Sequence, residues 1–324
     1  MLARLTNVLS HIKPRPRPFS TSAMASASSA SASSLLTTYP DYYNDKNITT
    51  AACLIIGDEV LNSKTFDTNS AFFARFCWDL GIDLRRVEII PDVESEIIEA
   101  VTRLNSRHDF VITSGGIGPT HDDITYPSIA KAFNKKLVLH DETVEKMKKL
   151  NKRPIDWSVD NDEKKARLRM AQFPEGAQVI FPVPEELWVP VVKMENVHIL
   201  PGIPRLFTTL LTSLTPLLSP HIPSTQKRTR LLVSTSLPES AIAPFLTRLS
   251  ERVEPQGIKI GSYPKWQGGV MVSLIGREAQ LTEELIGEVE REVQGRRADV
   301  EAEMKGEEER RKEINEDLGK RDSA

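Results

Sequence analysis

The residues with the clearest chemical potential are two adjacent carboxylates, Asp122 and Asp123, at the end of a glycine-rich loop. The surrounding stretch, residues 110–125, reads FVITSGGIGPTHDDIT, an apolar run followed by the loop and the start of a predicted helix. Glycines let backbone N–H groups approach a phosphate, and a helix N-terminus adds partial positive charge. Carboxylates in the same loop would repel that phosphate unless a divalent cation lay between them. The stretch therefore predicts a metal-assisted site for a phosphorylated or nucleotide ligand.

The composition is that of a chain able to bury a full hydrophobic core. It has 324 residues, 40% hydrophobic and 27% charged, which is long enough for more than one domain. The formal net charge of -3 gives no general indication of nucleic-acid binding, and no apolar run approaches the length of a membrane span. We therefore expect neither a nucleic acid nor a membrane as partner. Cys53 and Cys77 lie in apolar segments, which favours two buried thiols over a disulfide or a metal site.

The amino-terminal segment differs from the rest of the chain. Residues 1–40 are rich in Ser and Ala and contain no Asp or Glu, while their basic residues are Arg4, Lys13, Arg15 and Arg17. This pattern is typical of a mitochondrial transit peptide, and the alternative is a disordered tail with no targeting role. A start at Met24 would discard every basic residue of the segment, so a second, cytosolic form is possible. We predict a transit peptide and disordered leader over residues 1–47.

The body of the chain alternates strands and helices. The apolar run Ala51–Ile56 predicts a strand buried on both faces, and residues 67–80 predict an amphipathic helix. Regular alternation predicts a parallel sheet covered by helices, whose ligands bind beyond the carboxyl ends of the strands. Three polar motifs stand at such ends, at residues 57–59, 91–92 and 115–123. Their agreement places one candidate site at a single edge of the sheet.

The second half of the chain predicts a smaller domain. Residues 151–185 are polar and interrupted by prolines, which indicates an extended excursion over the site. A Pro/Ser-rich link at 214–224 precedes a new pattern, in which two strands are separated only by a short loop, as in a small α+β domain. Beyond Gly295 the chain is almost wholly charged and predicts a solvated helix or a disordered tail. The predicted units are 48–224, 225–295 and a charged tail at 296–324.

Seven short motifs occur in a characteristic order. They are residues 57–61 (GDEVL), 67–70 (DTNS), 91–92 (PD), 113–120 (TSGGIGPT), 122–125 (DDIT), 173–177 (FPEGA) and 200–204 (LPGIP). This set resembles the MoaB/Mog-like molybdopterin-binding family, in the branch of the CinA amino-terminal domain and the equivalent domain of eukaryotic FAD synthase. Residues 261–264 (GSYP) resemble the small domain that follows in that branch. The resemblance implies a three-layer α/β domain with a mostly parallel sheet, followed by a smaller α+β domain.

The resemblance implies two kinds of chemistry. In Mog-type proteins the site joins molybdopterin to an adenylyl group. In the CinA and FAD-synthase branch the domain resembles a metal-dependent pyrophosphatase acting on FAD or ADP-ribose-like dinucleotides. Both need a divalent metal, of the Mg or Co type, to neutralise a diphosphate and orient an attacking oxygen. A third hypothesis is a catalytically silent nucleotide-binding module, and the family also suggests a homo-oligomer.

The same resemblance assigns candidate roles to individual residues. The catalytic candidates are Asp58, Asp92 and Asp123. The metal-ligand candidates are Asp58, Glu59, Asp122 and Asp123. The candidates for binding the ligand or its phosphate are Asp67, Asn69, Thr113, Ser114, Gly115, Gly116, Gly118, Thr120 and Gly202. Asp67 and Asp122 each have a structural alternative, because either could cap the helix that follows it, and for Asp67 capping is the favoured interpretation.

Two features depart from the family pattern. The family usually carries an Asn and a GTAPG-like stretch shortly after the PEGA segment, whereas residues 181–194 read FPVPEELWVPVVKM here. This difference predicts an altered wall of the site and favours the silent module, while the intact acidic positions favour an enzyme. The chain also ends without the sulfate-reductase-like domain that carries FMN adenylylation in FAD synthase. We therefore do not expect this chain alone to make FAD.

Overall fold

The computed structural model describes Tyr39 and most of the chain from residue 46 to residue 303. In full, the described residues are 39, 46–150, 153, 155–183, 186–265, 268–303, 305–306 and 309. Nearly all of the predicted leader at 1–47 and most of the predicted charged tail lie outside these residues. No helix in the described part of the chain combines the length and the apolar character needed to cross a membrane.

The first domain is built on a six-stranded sheet. Its strands and those of a neighbouring two-stranded sheet are β1 (Thr50–Ile56), β2 (Asp83–Ile90), β3 (Phe110–Ser114), β4 (Leu137–Leu139), β5 (Gln172–Pro174), β6 (Gln178–Ile180), β7 (Val191–Met194) and β8 (Val197–Leu200). The order of the large sheet is β2-β1-β3-β8-β7-β6, and β7 runs opposite to the other five strands because it pairs antiparallel with both β8 and β6. Strands β4 and β5 pair antiparallel by themselves. The mostly parallel sheet confirms the predicted fold class.

Eight α-helices accompany this sheet in the described part of the chain. They are α1 (Asp58–Leu61), α2 (Asn69–Leu80), α3 (Glu94–Arg107), α4 (Thr125–Ala132), α5 (Asp141–Leu150), α6 (Asp162–Arg169), α7 (Pro204–Ser213) and α8 (Thr215–Leu218). Alternate residues of β1 point to opposite faces, so Cys53 packs with α2, α7 and α8 whereas Leu54 packs with α3 and α4. Burial on both faces explains the continuous apolar run of β1 and gives the domain its three layers.

Two segments are more regular than the sequence predicted. The polar stretch 151–185 is not simply an extended excursion, because it supplies α6, β5 and β6. The predicted link at 214–224 begins with α8 and a 3-10 turn at Ser219–His221, and both Leu217 and Leu218 are fully buried in the core. A proline in the first turn of α8 needs no N–H partner there, so the proline that suggested a linker instead starts a helix.

A smaller α+β domain follows the first. Its elements are β9 (Thr229–Thr235), α9 (Glu239–Val253), β10 (Lys259–Pro264), β11 (Val270–Gly276), α10 (Ala279–Glu284), α11 (Ile286–Glu292) and β12 (Arg296–Ala298). The strands form an antiparallel sheet in the order β10-β11-β9-β12, and the helices pack on it around Val233, Leu249 and Val272. Strand β12 lies beyond Gly295, where the sequence predicted the charged tail to begin, because it completes the sheet by pairing with β9.

Both cysteines are buried in the first domain. Cys53 lies in β1 and Cys77 in α2, and each is a free thiol with no exposed surface. Burial raises the pKa of both thiols, which keeps them protonated and unreactive. The structure confirms the expectation of two buried thiols.

Candidate functional site

A polar pocket of about 380 Å³ lies beyond the carboxyl ends of β1, β2 and β3. This is the edge at which ligands of open parallel sheets bind, and the volume suits a small ligand. The residues that line the pocket are Ile56, Glu59, Lys64, Thr65, Asp92, Gly116, Asp122 and Asp123. Five of these eight are among the predicted site residues. The fold therefore brings together acids from three separate segments of the chain.

Asp92, just after β2, lies in an environment that disfavours its ionised form. Desolvation raises its pKa, and the negative charges of Asp58, Glu59 and Asp122 raise it further. One opposing contribution comes from the backbone N–H of Asp58, which donates to Asp92 Oδ2 at 3.0 Å. The pocket thus concentrates more negative charge than its own groups neutralise. An added cation would relieve this repulsion.

Asp123 has a different role from Asp92, because its carboxylate holds the glycine loop in shape. It accepts hydrogen bonds from the backbone N–H of Gly118 at 2.6 Å and of Thr120 at 2.8 Å. The hydroxyl of Thr120 donates a third bond at 2.5 Å. The amides of Gly118 and Thr120, predicted to cradle a phosphate, therefore already bind Asp123. On the outer side of the loop, Arg169 of α6 donates to Pro119 O at 2.6 Å.

Replacing Asp123 by asparagine is expected to loosen this loop. An amide nitrogen would then face the donors of Thr120, so we expect the free energy of unfolding to fall by about 1–3 kcal/mol. Denaturation of the variant in urea measures this change. Asp122→Asn, the matched control at an exposed carboxylate, should leave stability almost unchanged. Equal stability of Asp123→Asn and the unmodified protein would contradict this role.

The two adjacent glycines that follow β3 are required by close contacts. Gly115 has φ +111°, and a Cβ there would lie 2.0 Å from Ile56 O. Gly116 has φ +63°, and its Cβ would lie 2.3 Å from Thr125 Oγ1 and 3.3 Å from Asp92 Oδ1. Within the described part of the chain, the amides of Gly116 and Ile117 donate to no acceptor. These two N–H groups are the loop's available phosphate donors.

A second set of predicted residues holds the neighbouring loops together behind the pocket. Asn69 Nδ2 donates to Ser114 Oγ at 2.9 Å and to Gly202 O at 2.8 Å. The side-chain oxygen of Asn69 is buried and has no hydrogen-bond partner among the described residues. Gly202 lies so close to Gly115 that an added Cβ would be 3.3 Å from its Cα. Thr113 is fully buried within β3 and does not line the pocket.

The two capping interpretations have different outcomes. Asp67 accepts hydrogen bonds from the backbone N–H of Asn69 at 2.9 Å and of Ser70 at 3.0 Å, the first two residues of α2. The favoured capping role of Asp67 is therefore confirmed. Capping by Asp122 is wrong, because α4 begins only at Thr125 and no side chain caps its N-terminus. Instead, the Thr125 N–H donates to Gly116 O at 3.0 Å, which ties the helix start to the loop.

The donor set of the pocket fits a hard divalent cation. Carboxylate oxygens are the protein ligands that Mg²⁺ prefers, and Mg²⁺ commonly takes only one or two of them together with substrate phosphates and water. Across the described residues, no three His, Cys, Asp or Glu side chains stand ready-assembled as metal ligands. Asp92 lines the pocket, whereas Asp58 is not among the lining residues and contacts Asp92 through its backbone N–H. A pair of this kind suits a cation that arrives with a phosphorylated ligand.

Two pocket features were not anticipated from the sequence. Lys64, in the loop between α1 and α2, is the only basic side chain among the described residues that line the pocket. A lysine in a polar loop is ordinarily solvated, so sequence pattern alone did not single it out. The altered stretch 181–194 was predicted to change a wall of the site, yet none of its described residues lines the pocket. Part of this stretch forms β7 in the main sheet instead.

Comparison with known proteins is consistent with this geometry. The family model described as a probable molybdopterin binding domain matches residues 52–220. The chain belongs to this molybdopterin-binding family. Relatives include proteins called probable FAD synthase, from Caenorhabditis briggsae (30% identity over 73% of this chain and 47% of the relative) and Caenorhabditis elegans (32%, 72% and 47%). The chain spans about half the length of these two family members.

Other proteins match over nearly their whole length. A protein of Pyrococcus horikoshii is 33% identical over 76% of this chain and 95% of its own length. The crystal structure of the protein CinA from Thermoplasma acidophilum, described there as of unknown function, shares 28% identity with a TM-score of 0.47. It covers 53% of this chain and 99% of that structure. The family model and the relatives called probable FAD synthase confirm the predicted resemblance to the molybdopterin-binding family.

Proposed function

We propose that this molybdopterin-binding-family protein is a metal-dependent nucleotide pyrophosphatase whose substrates are FAD or ADP-ribose-like dinucleotides. The observation that carries the proposal is the pocket, whose lining includes the four carboxylates of Glu59, Asp92, Asp122 and Asp123. Desolvation raises the pKa of Asp92 there, and neighbouring negative charges raise it further. A cation accompanying a diphosphate would offset this excess negative charge. The relatives called probable FAD synthase support a flavin dinucleotide as ligand, since FAD is named in their activity.

Several residues of the site have separate roles in the proposed reaction. A bound divalent metal would polarise the diphosphate and lower the pKa of a water molecule. Asp92 and Asp58 would hold that metal, and Lys64 would neutralise a diphosphate oxygen. The amides of Gly116 and Ile117 would donate to the phosphoryl group as negative charge develops. Water attacks one phosphorus atom of the diphosphate. The bond between that phosphorus and the bridging oxygen breaks, so FAD and water yield FMN and AMP.

The test is hydrolysis of FAD and ADP-ribose by the purified chain from Met24, with and without divalent metals. We expect chromatography to show FMN and AMP from FAD, or AMP from ADP-ribose, only when Mg²⁺ or Co²⁺ is present. The Asp92→Asn variant, purified in the same way, corrects for contaminating hydrolases. Absence of turnover with every metal would overturn the proposal, as would equal turnover by the variant.

Lys64→Gln provides a test of substrate recognition. Removing one charge-assisted contact to a diphosphate should lower kcat/KM by roughly tenfold. Lys64→Arg keeps the positive charge, so its kcat/KM should fall less. Steady-state kinetics with FAD measures the change. Lys259→Gln, an equal change of charge at an exposed position in the second domain, serves as the control. Identical kinetics for Lys64→Gln and Lys259→Gln would remove Lys64 from the site.

Molybdopterin binding or adenylylation is the second candidate function, favoured by the family description itself. It predicts pterin fluorescence in the purified protein and consumption of ATP when molybdopterin is added. A silent nucleotide-binding module, the third candidate, predicts tight binding of FAD without product formation. The hydrolysis assay and the pterin spectrum together separate all three candidates.

A further inference from the structure

Four arginines lie together where the two domains meet, and three of them pair with one aspartate. Asp83, at the start of β2, pairs with Arg85 at 2.8 Å, with Arg277 at 3.5 Å and also with Arg228. The guanidinium of Arg230 lies 4.0 Å above the ring centroid of Trp78, at the end of α2. Arg228, Arg230 and Arg277 come from the second domain, whereas Trp78 and Asp83 belong to the first. We call this group the arginine cluster.

The arginine cluster has more positive charge than its partners neutralise. Among the described residues, Asp83 is the only carboxylate paired with any of its four guanidinium groups. The Nε of Arg230 is buried and has no acceptor there. Burial lowers the pKa of Arg228, and the charges of Arg277 and Arg230 lower it further. A negatively charged acceptor is therefore the missing component.

A simple contact between domains does not account for this composition. One arginine and one aspartate would suffice to hold the junction, while each added guanidinium increases repulsion between like charges. The side chains of Arg85 and Arg277 are about half exposed, at 54% and 45%, so a ligand can reach them from solvent. Planar guanidinium groups match phosphate oxygens in geometry and form paired, charge-assisted hydrogen bonds with them.

The arginine cluster is remote from the acidic pocket. Asp83 begins β2, whereas Asp92 follows the end of the same strand. A strand of this length separates its two ends by roughly 25 Å at 3.3 Å per residue. We propose that the arginine cluster is a second ligand site, which binds a phosphate-type oxyanion between the two domains. The ligand is either free phosphate or diphosphate, or the phosphoryl end of a nucleotide.

The test measures anion binding to the full chain without divalent metal, so that the acidic pocket does not attract the ligand. Inorganic diphosphate is titrated in EDTA at constant ionic strength set with chloride, with thermal unfolding and calorimetry as readouts. We expect diphosphate to raise the Tm, and Arg277→Gln to bind it roughly tenfold more weakly. Arg85→Gln, at the more exposed arginine, should show the same loss if Arg277→Gln folds poorly.

Two controls make the result specific. Arg252→Gln removes the same charge from the second domain, at an arginine paired with Glu288 at 2.5 Å, and should bind diphosphate normally. Asp92→Asn should also bind normally, so the result is independent of the proposed hydrolysis. Tighter binding of ADP than of diphosphate would identify a nucleotide as the source. Equal affinity of Arg277→Gln, Arg85→Gln and unmodified protein, or a loss confined to Asp92→Asn, would overturn the proposal.

Discussion

Replacing Asp92 by asparagine is expected to reduce metal-dependent hydrolysis of FAD by roughly 100-fold or more, while making the protein more stable. Activity should fall because the variant loses a carboxylate proposed to hold the metal. Stability should rise, by about 1–3 °C in Tm at neutral pH, because the variant no longer keeps a charge that is partly desolvated and close to other negative charges. The asparagine oxygen still accepts from the Asp58 N–H, so the local structure is retained.

The gain in stability should depend on pH in a defined direction. The pKa of Asp92 is raised in the folded state, so its ionised form lowers stability above that pKa. This destabilisation decreases as the pH falls through the pKa of Asp92 in the folded protein. It is absent below the pKa of the unfolded chain, about 3.9. Thermal unfolding at neutral and acidic pH should therefore show a gap between the two proteins only at neutral pH. A gap of equal size at both pH values would contradict the electrostatic origin.

A charge-matched variant distinguishes the local effect from a change in net charge. Glu251→Gln removes one negative charge at an exposed position of α9 and should alter neither activity nor stability. If Asp92→Asn kept full metal-dependent turnover, Asp92 would be excluded from the catalytic machinery. That result would also overturn the proposed reaction, because Asp92 is the pocket residue proposed to hold the metal.

Replacing Gly115 by alanine is expected to lower the free energy of unfolding by about 3 kcal/mol or more, and to abolish ligand binding. Its φ of +111° is unfavourable for any residue with a Cβ, and the added atom would overlap the carbonyl oxygen of Ile56. The clash involves backbone on both sides, so the loop must move away from β1. Urea denaturation and FAD titration measure the two effects.

Gly176→Ala is the matched control for Gly115→Ala. Gly176 also has a positive φ, of +80°, but an added Cβ would meet nothing within 4 Å. The free energy of unfolding of Gly176→Ala should therefore fall only by the cost of placing alanine in a left-handed conformation, about 1–2 kcal/mol. Similar losses in the two variants would show that the contact with Ile56, and hence the tight approach of the loop to β1, is unimportant.

The sequence by itself determined the features that depend on neighbouring residues. Continuous apolar runs predicted the buried strands β1 and β3, and strand–helix alternation predicted the parallel sheet, because burial on both faces requires such runs. The capping role of Asp67 was also predictable, since its hydrogen-bond partners lie two and three residues further along the chain. The family motifs located the candidate site, because most of them stand at strand ends, whereas residues 67–70 lie at the start of α2.

Only the tertiary structure decided how distant residues meet. In the sequence, Asp92 and Asp123 are both aspartates in loops after predicted strands. The structure distinguishes them, because Asp92 is close to acids from other segments whereas Asp123 accepts hydrogen bonds from its own loop. It brings Lys64 to the pocket, and it pairs two arginines of the second domain, Arg228 and Arg277, with Asp83. Strand register and domain packing set these contacts, and such pairings between residues far apart in the chain leave no periodic pattern in a single sequence.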